Sequence, residues 1–258
     1  MPRAWTPFPH DAAAYTYTAA TLKKHWPRLH RGDAEPWPAS KAVQQAWTAF
    51  HAGDFQQAVA TGLKAGGAGV HAANKAQAIY ATYLAPDEFT RQELLLDVVH
   101  RAEARALAAP DEANAWYWQA YALGRHSQSI SIAQAIAHGY AARVKHALEQ
   151  AIRLAPTHAD AHIALGLYHA EVIDKVGQLL GHAQGADKAT GLRCFERALA
   201  LNPESAIARI EMANGLVMLE GEKQLKRAER LYAEAAAATP MDAMERLDVE
   251  LAKAEIAA

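Results

Sequence analysis

One cysteine, Cys194, stands in 258 residues. That excludes an intramolecular disulfide and any zinc site built on several thiolates, and its slot in a helical run suits a small buried apolar side chain. No stretch approaches 18 uninterrupted apolar residues, so no membrane span is predicted. Residues 1–20 hold Pro2, Pro7, Pro9, His10 and Asp11 and no apolar core of the kind a secretory signal needs, so the chain reads as cytoplasmic. Charge of one sign is also missing: 26 basic residues against 28 acidic ones leave a net charge of −2, with no block of like charges. Nucleic acid is therefore not an expected partner. His-Glu-x-x-His, Gly-x-Ser-x-Gly, paired cysteines and a glycine-rich phosphate loop are all absent, so the sequence offers no sign of an enzyme, a metal or a cofactor. Runs of alternating Val, Ile and Thr are lacking too, which leaves an all-α chain.

What is present is alanine, and a phrase that repeats. His-Ala-Leu-Glu-Gln-Ala-Ile-Arg-Leu-Ala-Pro ends at Pro156, Cys-Phe-Glu-Arg-Ala-Leu-Ala-Leu-Asn-Pro at Pro203, and Tyr-Ala-Glu-Ala-Ala-Ala-Ala-Thr-Pro at Pro240, with a weaker copy ending at Pro110. A helix that recurs and stops at a proline predicts stacked helical hairpins, each too small to bury its apolar face alone. Residues 1–38, rich in Pro and aromatics with one helix expected over 11–25, read as a cap or strap on the first hairpin. Residues 39–258 read as the repeat domain.

The small residues in this pattern resemble the tetratricopeptide repeat. Ala46, Gly53, Ala58 and Ala65 in one unit, Gly166 in another, and Ala213 with Leu216 in a third fall on that repeat's small and apolar slots. The resemblance implies a right-handed solenoid of paired helices with a concave groove. The prolines lie 46, 47 and 37 residues apart, where the repeat period is about 34. Two middle repeats are therefore enlarged, near residues 125–139 and 171–182. Both insertions are apolar at helical spacing, through Ile132 and Ile136 in one and Val172, Val176, Leu179 and Leu180 in the other. Either they fold into the core or they arch over the groove and enclose a ligand. Matched apolar insertions, with the stretch 185–199, resemble the T component of TRAP transporters. The ending Asp242-Ala243-Met244-Glu245-Arg246-Leu247-Asp248-Val249-Glu250 and the core Ala161-His162-Ile163-Ala164-Leu165-Gly166 resemble bacterial tetratricopeptide proteins of no assigned function.

Thirteen histidines invite a metal, and His158, His162 and His169 sit at i, i+4 and i+11. The proline at 156 puts His158 in the turn before the helix, so the expectation is no metal site. Register in the repeat nominates a partner groove instead: Trp47, Phe50, Tyr117, Tyr121, Arg125, Ile163, Leu167, Glu171 and Asn214. The sequence thus reads as a non-catalytic interaction or scaffold protein with a protein or peptide partner. The alternative is a carrier of a small hydrophobic ligand held beneath the insertions.

Overall fold

The computed structural model describes residues 5–257, and every regular element among them is helical. In chain order the α-helices are α1 (Ala19–Leu29), α2 (Lys41–His51), α3 (Phe55–Ala65), α4 (Gly69–Tyr83), α5 (Glu88–Ala108), α6 (Ala113–Ser127) and α7 (Ile132–Ala137). They continue as α8 (Tyr140–Leu154), α9 (Ala159–Ala183), α10 (Lys188–Leu201), α11 (Ala206–Glu220), α12 (Leu225–Ala236) and α13 (Ala243–Ala257). The repeating prolines act as the sequence suggests: α5, α8, α10 and α12 end two to four residues before Pro110, Pro156, Pro203 and Pro240. The helix expected over 11–25 is split instead. A 3₁₀ turn covers Ala13–Tyr15, and α1 starts only after Thr18, whose side chain forms a reciprocal capping box with Thr21.

Two compact units divide the chain. The first takes residues up to His30, then Glu35–Ile130 and Met241–Met244; the second takes Arg31–Ala34, Ser131–Pro240 and the residues from Glu245 onward. In the first unit, consecutive helices from α2 to α6 pack on one another. Glycine makes the closest approach possible between α3 and α4: a Cβ on Gly62 would stand 2.5 Å from the Gly69 carbonyl, and a Cβ on Gly69 would be as near the Gly62 carbonyl. Aromatics of the N-terminal segment lie on these helices. Trp5 stacks on Tyr80 with ring centroids 4.0 Å apart, Phe8 covers Gly53, and Trp26 meets Trp47 edge-on at 5.8 Å. Helix α4 is buried from His71 to Ala81, although His71, Asn74, Lys75 and Gln77 lie within that stretch.

The second unit is organised around Phe195 of α10, which is fully buried. Its ring occupies the space left by Gly166 on α9 and Gly215 on α11, where a Cβ would collide with ring carbons. Ala170, Met212, Ala213, Leu216, Leu219, Ala228 and Leu231 complete the cluster. The helices start on caps, with Asp187 accepting from the Thr190 amide and Ser205 from that of Ala208.

The two insertions take different forms here. The first supplies a separate short helix, α7, none of whose residues is buried. The second prolongs α9 and breaks it at Gly177, where φ 81° and ψ 163° are accessible to glycine and strained for other residues. The chain beyond the break returns toward α9: Gly181 packs on Ile173, and the Tyr168 hydroxyl donates to the Gln184 carbonyl at 2.6 Å. No helix among the described residues is long and apolar enough to cross a membrane.

Candidate functional site

Trp47 and Phe50 project from α2 and are fully buried. Trp47 is enclosed by the rings of Trp26, His30 at 4.6 Å and Phe50 at 5.6 Å, with the ammonium of Lys75 5.9 Å from its centroid. On α6, Tyr117 is buried while Tyr121 and Arg125 are half-buried. These three follow one another at four-residue spacing along the helix. The Tyr117 and Tyr121 rings are 6.1 Å apart and the Arg125 guanidinium stands 5.5 Å from the Tyr121 ring. The Tyr121 and Thr82 hydroxyls meet at 3.1 Å, fixing the ring against α4.

In the second unit, Ile163 is buried against Ala198 and Ala208, and Leu167 packs on the Phe195 cluster. Glu171 is half-buried and pairs with Lys175 at 3.2 Å, one turn on. Asn214 accepts a hydrogen bond from the Tyr232 hydroxyl at 2.7 Å, which ties α11 to α12. Each of the nine groove candidates therefore has local packing or a local partner. Those left most accessible are Tyr121, Arg125, Leu167, Glu171 and Asn214.

Register does not nominate the most exposed apolar side chains of the insertions. Ile132 and Ile136 on α7 are 48% and 60% exposed, and Leu179 and Leu180 beyond Gly177 are 85% and 61% exposed. Their helical spacing is visible in the sequence, but spacing cannot tell a covered stripe from an open one. The half-buried Val172, Ile173 and Val176 lie on the same insertion before the break.

Three histidines that could have suggested a metal have other duties. His158 caps α9, its Nδ1 accepting from the Ala161 amide at 3.0 Å; His162 Nε2 faces the Pro156 carbonyl at 3.2 Å; His169 Nδ1 accepts from the Asp187 amide at 3.1 Å. Burial holds His162 and His169 below the ordinary imidazole range, so their neutral forms are favoured, and it is the neutral ring of His169 that can accept from Asp187. Among the described residues no three His, Cys, Asp or Glu side chains are grouped to hold a metal ion.

Residues 71–255 match the family described as regulator of microtubule dynamics protein 1-3. The chain belongs to that family. The match runs from α4 to α13 and takes in seven of the nine groove candidates, leaving out Trp47 and Phe50. This family is distinct from the transporter component and from the bacterial group whose motifs the sequence resembles. A search of curated proteins finds no match. Among solved structures, a thermophilic tetratricopeptide-repeat protein of Thermus thermophilus is similar, with a TM-score of 0.58 and 17% identity, over 83% of this chain and 97% of that one. At that identity the likeness establishes the fold, and this member of the microtubule-regulator family has a tetratricopeptide-like helical-repeat architecture.

Proposed function

We propose that the chain is a non-catalytic interaction module that binds another protein and thereby acts in the control of microtubule dynamics, a reading that its membership of the family supports. The observation that carries this reading is the pair of insertion segments, each of which holds two aliphatic side chains in solvent: Ile132 and Ile136, and Leu179 and Leu180. Exposed large aliphatics paired on one short segment of a helical-repeat scaffold suit a protein contact. Tyr121 and Arg125 of the first unit, and Leu167, Glu171 and Asn214 of the second, supply half-exposed aromatic, apolar and polar groups for the same role, while Trp47 and Phe50 shape α2 from within.

Purified tubulin tests the reading directly, by co-sedimentation with microtubules and by turbidity during assembly. The wild type changes the assembly curve, and Ile136→Asp combined with Leu179→Asp abolishes the effect without moving the melting temperature. A wild type with no effect on assembly overturns the microtubule part. An unchanged double variant overturns the insertions as the contact.

The same exposed aliphatics, one pair of which follows the Gly177 break, favour a second reading in which the insertions cover a small apolar ligand. Native mass spectra of the full chain distinguish the two. A stoichiometric adduct lost on unfolding supports the carrier, and a bare mass supports the interaction module.

A further inference from the structure

Residues 5–9, Trp-Thr-Pro-Phe-Pro, cross the first unit without regular secondary structure. Thr6 and Phe8 each precede a proline, which biases both toward extended backbone, so the segment is straightened by its own sequence. Its seat is made by Gln56 at the start of α3, Tyr80 in the last turn of α4, and Gly53 in the turn between α2 and α3. The Trp5 ring stacks on Tyr80 at 4.0 Å with 20° between the planes. The Trp5 amide donates to Gln56 Oε1 at 3.2 Å, and the Thr6 amide donates to the Tyr80 hydroxyl at 3.0 Å. Phe8 lies on the bare backbone of Gly53, where a Cβ would stand 2.7 Å from its ring, and Tyr15 meets it edge-on at 6.4 Å. The family match begins at residue 71, so the segment, Gly53 and Gln56 all lie outside it. We infer that this seat is a recognition site for an extended partner segment of the pattern aromatic-x-Pro-aromatic, and that residues 5–8 are its built-in competitor.

The contact differs from the packing farther along the same segment. Tyr15, Leu22 and Trp26 are buried, whereas Trp5 and Phe8 are half-buried and Thr6, Pro7 and Pro9 are exposed. Among the described residues no backbone–backbone hydrogen bond reaches residues 5–9, and Pro7 and Pro9 have no N–H to donate. Two rings and two amides within four residues therefore make the attachment. The seat does not depend on its occupant for its form. Tyr80 is carried by α4, which packs on both α3 and α5, and the φ of 83° at Gly53 belongs to the turn that joins α2 to α3.

The occupant shows what the seat reads. Gln56 and Tyr80 accept from two successive main-chain N–H groups, the Tyr80 ring takes a flat aromatic, and the Gly53 backbone takes a second ring three residues on. A proline between the rings presents no N–H that would be left unpaired, and it pre-extends the segment, so little conformational entropy is lost on docking. A partner segment with these features makes the same contacts in trans. The tether sets its own copy against it at an effective concentration of about millimolar, which masks the seat from weak ligands.

The probe is a fluorescein-labelled Trp-Thr-Pro-Phe-Pro peptide, followed by anisotropy against the full chain. Trp5→Ser combined with Phe8→Ser empties the seat, and this chain binds the peptide at least tenfold more tightly than the wild type does. Tyr80→Phe added to the emptied chain removes the acceptor for the second amide and weakens binding about two- to tenfold, the effect of one hydrogen bond. A peptide with serine at both aromatic positions does not bind. Circular dichroism shows whether the emptied chain is folded. If it is not, the wild type carries the test: millimolar unlabelled peptide displaces residues 5–8 and accelerates hydrogen exchange at the Thr6 amide, and an unchanged rate overturns the site. A folded, emptied chain that ignores the peptide also overturns it, as does equal affinity of the emptied and wild-type chains, which would place the peptide elsewhere. An emptied chain that ignores the peptide but pairs with the wild type as a dimer shows that the occupant is a second copy and overturns the partner segment.

Discussion

At the scale of single residues, the ion cluster around Glu112 makes the clearest claim. Its carboxylate accepts from His71 Nε2 at 2.8 Å and from Arg105 Nε at 2.6 Å, and a second Arg105 nitrogen reaches the other oxygen. The His71 hydrogen bond is the main reason its pKa is pushed down to about 2, with Arg105 adding to the effect and partial burial opposing it. A carboxylate held below its unfolded value stabilises the fold above that value, and the contribution is lost as pH falls through the folded one. Glu112→Gln should therefore lower the melting temperature at pH 7, and the gap to wild type should shrink steadily from about pH 4.5 toward pH 2. Parallel melting curves across that range would contradict the assignment.

At the scale of elements, one sequence signal has two outcomes. Phe195 on α10 and Ile136 on α7 are both large apolar residues in helical runs, yet the first is wholly buried and the second is 60% exposed. Neighbours decide this. Phe195 is met by glycines from two other helices, whereas α7 is six residues long and is followed after one residue by Gly139, whose φ of 64° turns the chain into α8. Phe195→Ala should cost about 3–5 kcal/mol, and Gly215→Ala, which drives a methyl into the ring, about 1–3 kcal/mol. Ile136→Asp should stay within about 0.5 kcal/mol. Urea denaturation of the three variants checks the order, and a costly Ile136→Asp would mean that α7 is covered.

At the scale of the whole molecule, the legible features were local ones. Proline stops, small residues at close helix crossings and the length of the insertions all show within one or two turns of chain, and they suffice for a tetratricopeptide-like fold. Features set by distant segments did not show. Asp242 reaches His51 across 191 positions, a pairing that no local pattern in either stretch displays. The same long-range weave governs how the protein unfolds. Residues 31–34 belong to the second unit though their neighbours on both sides lie in the first, and residues 241–244 do the reverse, so neither unit is one continuous stretch of chain. Two probes report on the units separately. All six tryptophans lie in stretches assigned to the first, and Cys194, buried and pushed up to about 11 by that burial, lies in the second and is shielded from thiol reagents until it unfolds. With the chain interleaved in this way, tryptophan fluorescence and Cys194 labelling should give the same denaturant midpoint, as a single cooperative transition requires. Separate midpoints would show that each unit keeps its structure after the other has lost its own, and that the crossing segments couple nothing.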